Sequence, residues 1–188
     1  LPRELAAASF AGVHLHVPYK NEAARQAEAF ASHVAGGGGG ALLFAGETGT
    51  GKTYLAVATL RAAAEAGASA TLLSSAELCD ELRRRAFDVA ELRAYVARVR
   101  AHDLVIIDDF GSERLGPSEG AVLDHYGRLL KSFEGGGALL VTTNYDFQEA
   151  LVKNFGDEGD RLARRLGGVQ FCRQLLFGRL VPAATAPR

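Results

Sequence analysis

At 188 residues, 48% of them hydrophobic and 23% charged, the chain has the size and balance of one globular domain and is not a disordered tail. Its 21 basic and 22 acidic side chains leave a formal net charge of −1, which excludes a global electrostatic grip on nucleic acid and leaves room only for a local basic patch. Apolar runs such as Ala138 to Val141 fall far short of the roughly 18 to 20 residues of a membrane span, so no membrane partner is expected.

The chain opens at Leu1, contains no Met, and is expected to be a piece of a longer product. Leu1 to Phe10 lacks the continuous apolar stretch of a signal peptide. Ala23 to Ala35, rich in Ala and free of Gly and Pro, predicts a helix that stops at the glycine run Gly36 to Gly40. Ala41 to Ala45 is a short apolar run between glycines, the pattern of a strand buried on both faces. A second breaker-free Ala-rich stretch, Thr53 to Ala66, predicts a helix closed by Gly67.

Ser69 to Ser74 predicts the next strand, and Ser74 with Glu77 three residues on has the reciprocal arrangement of a capping box opening a helix near Ser75. Asp88 and Glu91 repeat the pattern ahead of Leu92, Tyr95, Val96 and Val99, which share one helical face. Asp103 to Asp108 predicts a third buried strand, and Pro117 suits the first turn of a helix with Val122, Tyr126, Leu129, Leu130 and Phe133 on one face. Ala138 to Thr143 is a fourth strand. Asp146 with Glu149 predicts a capped short helix, Leu162 onward another, and Leu175 to Val181 is a last apolar stretch before a loose tail, Pro182 to Arg188. Apolar strands alternating with helices mean an α/β fold with a parallel sheet covered on both faces. Residues 1–40 are expected to form a lead-in segment, 41–181 the core and 182–188 the tail.

Between the first strand and its helix, Gly46-Glu47-Thr48-Gly49-Thr50-Gly51-Lys52-Thr53 matches the full phosphate-loop pattern G-x-x-x-x-G-K-[ST]. Triphosphate oxygens need several donors converging from one side. A glycine loop at a helix N-terminus supplies them as backbone N–H groups, with the helix dipole adding partial positive charge. Lys52 is then expected on the β and γ phosphates of ATP or ADP, and the Thr53 hydroxyl on Mg²⁺.

The strand Leu104 to Asp109 carries two carboxylates to the edge of the sheet where ligands bind. Asp108 is expected to hold Mg²⁺ through water and Asp109 to orient an attacking water, the alternative for Asp109 being a turn cap beside Gly111. The polar cluster Thr142-Thr143-Asn144 ends the fourth strand at the same edge. There an amide at Asn144 can hold that water or touch the γ-phosphate, or serve only as a turn residue. Residues 161–188 hold six arginines and no acid, with Arg161, Arg164 and Arg165 clustered at the start. Such a cluster is either a solvated helix face or the source of an arginine finger.

The ordered set G-E-T-G-T-G-K-T, I-I-D-D-F-G, V-T-T-N and G-D-R-L-A-R-R-L resembles the AAA+ domain of DnaC-type helicase loaders, with the IstB transposition ATPases as close relatives. The likeness runs from about Phe10 to Leu180. It implies a P-loop NTPase core of RecA-like type with five parallel strands, and Walker A residues at Lys52 and Thr53. Asp108 and Asp109 become Walker B, Asn144 sensor 1 and Arg165 the finger. It also implies a cytoplasmic, Mg²⁺-dependent ATPase that assembles into homo-oligomers and loads a hexameric replicative helicase, through a region that in such loaders lies in an N-terminal extension. A transposase is the alternative partner, and a small-molecule P-loop kinase the alternative from another class. Tyr54 departs from the His that many relatives carry there, and with 22 residues after Leu166 no C-terminal helical lid is expected. The insertion Ser75 to Ala101 is similar to the segment that initiator-clade AAA+ proteins direct at single-stranded DNA. Glu77 to Arg100 carries six arginines against five acids, a net of only +1, with Arg83, Arg84 and Arg85 contiguous. Its two aromatics, Phe87 and Tyr95, are expected to be structural, Tyr95 through its place on the core face.

Cys79 and Cys172 are too few for a disulfide framework and read as buried small hydrophobes in a reducing compartment. The five His residues show no metal spacing.

Overall fold

In the computed structural model, residues 3–13, 18–112, 120–144 and 173–177 are described. The expected helices after Asp146 and from Leu162, the residues Pro117, Cys172, Arg161, Arg164 and Arg165, the tail, and any lid lie outside them.

Five parallel strands form the sheet: β1 (Gly40–Gly46), β2 (Ala70–Ser74), β3 (Leu104–Phe110), β4 (Ala138–Thr143) and β5 (Arg173–Phe177). Their spatial order is β2-β3-β4-β1-β5. Each expected strand is present, and the apolar stretch that begins at Leu175 contributes to β5, which pairs with β1 from Leu42↔Arg173 to Gly46↔Phe177.

Strand alternation divides the core in two. Leu43, Val105, Ile107, Leu139 and Val141 face one side, where they pack with Leu78 and Leu82 of α4 (Ser75–Arg84), Tyr95 and Val99 of α5 (Val89–Arg100), and Tyr126 and Leu130 of α6 (Gly120–Ser132). Leu42, Phe44, Leu104, Ile106 and Leu140 face the other, against α2 (Pro18–Ala35) and α3 (Lys52–Glu65). Ala27 and Ala31 of α2 and Ala56 and Ala63 of α3 are buried in that second cluster. Side chains this small let helix backbones sit close to the sheet. The helix of the lead-in thus shares its core with the sheet, and it starts at Pro18, five residues before the expected Ala23.

The helix signals are met unequally. At Ser74 the capping box is complete: its Oγ accepts from Glu77 N–H and the Glu77 carboxylate accepts from Ser74 N–H. Asp88 makes only half of one. Its carboxylate accepts from the N–H groups of Ala90 and Glu91, both at 2.9 Å, while its own N–H is taken by the Arg85 carbonyl at 3.0 Å, so Glu91 has no donor to reach back to. Ahead of α2, the short helix α1 (Arg3–Ala6) and a single 3₁₀ turn at Phe10–Gly12 had no periodic signal in the sequence. They lie on α3, with Ala8 fully buried against Val57 and Ala58.

The arginine run at the end of α4 is paired with acids of the same helix, three guanidiniums on two carboxylates. Arg83 pairs with Asp80 at 2.6 Å, and Arg84 and Arg85 both pair with Glu81. The Arg85 guanidinium also lies 4.8 Å from the centre of the Tyr95 ring. Tyr95 is buried as its periodicity predicts, whereas Phe87, expected to be structural, stands 99% exposed. It sits in the turn between α4 and α5, off the face that either helix turns to the core.

Candidate functional site

β1 delivers the chain into the glycine loop at Gly46, and α3 begins at Lys52. Gly51 is the N-cap of α3 with φ of +92°, a left-handed conformation that side-chain-bearing residues rarely adopt. It offers no side-chain cap, so the N–H groups of the first turn of α3 are left to a ligand. The Thr50 hydroxyl donates to the Glu47 carbonyl at 2.8 Å and closes the loop on itself.

Lys52 is only 6% exposed, and its ammonium donates to the Gly46 and Glu47 carbonyls at 2.8 and 2.7 Å. Burial pulls its pKa below the ordinary lysine value, against the opposing pull of the Asp109 and Asp108 carboxylates. A buried cation held at the mouth of a loop of N–H groups suits a multiply charged anion.

On the neighbouring side, Thr53 Oγ1 donates to Asp108 Oδ1 at 3.0 Å, joining the first turn of α3 to the end of β3. Thr142 Oγ1 donates to the same carboxylate oxygen at 2.6 Å and accepts from the Asp109 N–H at 2.9 Å. Asn144, just past β4, donates from Nδ2 to Asp109 Oδ1 at 2.5 Å. A hydroxyl and a carboxylate side by side form an all-oxygen donor set, which fits Mg²⁺ in the way expected of Thr53 and Asp108.

These groups share one cavity of about 400 Å³, lined by Thr48, Gly49, Gly51, Lys52, Thr53 and Tyr54 from the loop and α3, and by Asp108, Asp109, Thr142 and Asn144 from the strand ends. Gly46, Glu47 and Thr50 do not line it; they hold the loop through their carbonyl and hydroxyl contacts. The expected site residues are therefore brought together, except Arg165, which is outside the described residues.

Two residues take roles that the sequence did not assign to them. Thr142 was visible only as part of a polar cluster. Tyr54, which lines the cavity, also ties α3 to the segment before α2: its hydroxyl accepts from Ser9 N–H and donates to Ser9 carbonyl, both at 3.3 Å. Arg61, two turns further along α3, donates to the carbonyls of Ala6 and Ala8 at 2.9 and 3.2 Å. The segment before α2 is thus tied to the same helix that opens with the phosphate loop.

Comparison with known proteins bears on the fold and the family. Among solved structures, a DnaC helicase loader superimposes with a TM-score of 0.73 at 23% identity, over 93% of this chain and 99% of the other. DnaI gives 0.71 at 23% identity over 94% of each chain. The replication initiator DnaA bound to AMPPCP and single-stranded DNA gives 0.71 at 14% identity, over 89% of this chain and 49% of that one. No curated protein matches the sequence. The family model described as IstB-like ATP binding protein matches residues 25–164, which include the phosphate loop, both strand-end acids and Asn144. The chain belongs to the family of IstB-like ATP-binding proteins, with the AAA+ fold of the DnaC-type loaders.

Proposed function

We propose that this domain binds ATP and ADP with Mg²⁺ and hydrolyses ATP. The observation that carries the reading is the meeting of Lys52 and the Thr53–Asp108 pair in one cavity at the N-terminus of α3. The loop N–H groups and Lys52 bind the phosphates, and Thr53 and Asp108 would hold Mg²⁺, which when bound neutralises charge on the phosphate oxygens. Asp109 orients the attacking water, with Asn144 fixing its carboxylate, and Arg165 of a neighbouring copy supplies the finger.

The role of this ATPase, on our reading, is in the cytoplasm, loading a hexameric replicative helicase onto single-stranded DNA through ATP-dependent self-assembly, with residues 41–181 as the working core. Similarity to the DnaC loader over nearly the whole of both chains supports that choice. Service to a transposase is the second reading, favoured by the IstB-like family match. No helix among the described residues is long and apolar enough to cross a membrane. Because the α4 arginines are paired with Asp80 and Glu81, one domain offers few free phosphate contacts, and DNA binding depends on repeating them through assembly.

Calorimetric titration of Mg·ATP and Mg·ADP tests the site. The parent protein should bind both and Lys52→Ala neither; unchanged affinity in that variant defeats the assignment. Co-purification of the full-length protein with a hexameric helicase or with a transposase decides the partner.

A further inference from the structure

The two acids at the end of β3 are consecutive, yet both line one cavity. In a regular strand that is impossible, because successive side chains leave on opposite faces. The register explains how it is done. Ile107 pairs with Val141 and Phe110 with Thr143, so β3 advances three residues while β4 advances two. Asp108 and Asp109 together oppose the single residue Thr142, which is a β-bulge, a rare feature between parallel strands. Asp109 takes a φ of +58°, the one positive-φ residue other than glycine among the described residues. Such a conformation persists only where the surroundings impose it.

Thr142 holds the backbone of Asp109 in place. Thr142 is buried at 1% exposure, and its hydroxyl bonds to both residues of the bulge. It accepts the Asp109 N–H, which the bulge has removed from the strand ladder, and it gives its own proton to Asp108 Oδ1. A hydroxyl is suited to this because it is donor and acceptor at once. Valine has the same shape and neither capacity.

We infer that Thr142 is a positioning residue whose hydroxyl staples the bulge, turning Asp108 and Asp109 into one site and setting the Asp108 carboxylate for Mg²⁺. This rests on the nucleotide reading above and extends it to a residue that touches neither phosphate nor water in that reading. Removing the staple frees the Asp109 N–H and leaves Asp108 Oδ1 with the longer bond from Thr53 alone, while the phosphate loop, on a different strand and helix, keeps its own bonds.

The experiment compares Thr142→Val and Thr142→Ser with the parent, measuring ADP affinity by calorimetry in EDTA and across a Mg²⁺ titration, and then ATP turnover. In Thr142→Val the Mg²⁺ concentration giving half of the metal effect should rise about 10- to 100-fold, the range for partners that orient a metal ligand, with ADP affinity in EDTA unchanged. Thr142→Ser should behave as the parent in both. Turnover at saturating Mg·ATP should fall in the valine protein through kcat, since Asp109 is displaced too. Parental Mg²⁺ dependence in Thr142→Val, or equal loss in the serine protein, overturns the inference. If the valine protein does not fold, Thr142→Ala puts the same question without its packing demand, under the same criteria. A parent protein that binds no nucleotide overturns the underlying reading, and the role of Thr142 with it.

Discussion

Asn144 Nδ2 lies 2.5 Å from Asp109 Oδ1, so the amide that ends β4 holds the second carboxylate of β3. Asp109 is thereby fixed at both ends, its N–H on Thr142 and its carboxylate on Asn144. A turn cap would instead use that carboxylate on nearby backbone N–H groups. Asp109→Asn should keep Mg·ATP affinity and lower kcat by about 10² to 10⁴, the usual share of a positioned base. Calorimetry and steady-state turnover on one preparation separate the two, and a parental rate would reduce Asp109 to a structural role.

Burial depresses the Lys52 pKa, which gives two opposed pH trends. Between that lowered value and the ordinary lysine value, the unfolded chain keeps a proton that the native one gives up. The Lys52 contribution to stability therefore rises with pH across this window and is lowest below it. Phosphate binding needs the charged ammonium, so ADP affinity falls across the same window. Denaturant unfolding of the parent minus Lys52→Met, set beside ADP titrations from neutral to alkaline pH, should show slopes of opposite sign. An ADP affinity independent of pH throughout would be inconsistent with Lys52 on the phosphates.

The tie between Tyr54 and Ser9 predicts a coupling testable without nucleotide. Tyr54→Phe should speed hydrogen exchange at the Ser9 amide by roughly fivefold, from the loss of about 1 kcal/mol per hydrogen bond. A Cβ at Gly12 would come within 2.2 Å of the Tyr54 hydroxyl and 3.5 Å of the ring carbon bearing it. Gly12→Ala should therefore destabilise the parent and be tolerated once Tyr54 is Phe, a non-additive pair in thermal unfolding. Additive effects would mean that the hydroxyl is not what demands glycine there.

Arg165 should act across a subunit boundary. Arg165→Ala is expected to bind ATP normally and to lose about 10³ to 10⁵ in hydrolysis, the scale of an arginine finger. Mixing it with Lys52→Ala should restore part of the activity, because one mixed interface joins an intact loop to an intact finger. Parental activity in Arg165→Ala alone moves the finger to Arg161 or Arg164, or removes it.

Much of this protein was legible along the chain, because the signals involved are local. The phosphate loop is eight consecutive residues, the Ser74 box spans four, and the strands announce themselves as apolar runs whose alternation then sorts Leu42 from Leu43 onto opposite cores. Glycine at Gly51 and acids at the end of β3 are chemical requirements that the one-dimensional pattern carries directly. What the chain could not announce lies in bonds between residues far apart in sequence. Thr142 meets Asp108 across 34 positions and Tyr54 meets Ser9 across 45. The bulge that puts both carboxylates in one cavity appears only when β3 and β4 are set in register, because a strand's own alternation predicts the two acids on opposite faces. Phe87 departs from its expected structural place for a related reason: a helical period describes a face only while the helix lasts, and the turn that ends α4 releases its residue to solvent. Composition and period determine which elements form and which chemistry they carry. The register between strands, imposed by packing both faces of the sheet at once, decides which of those groups meet.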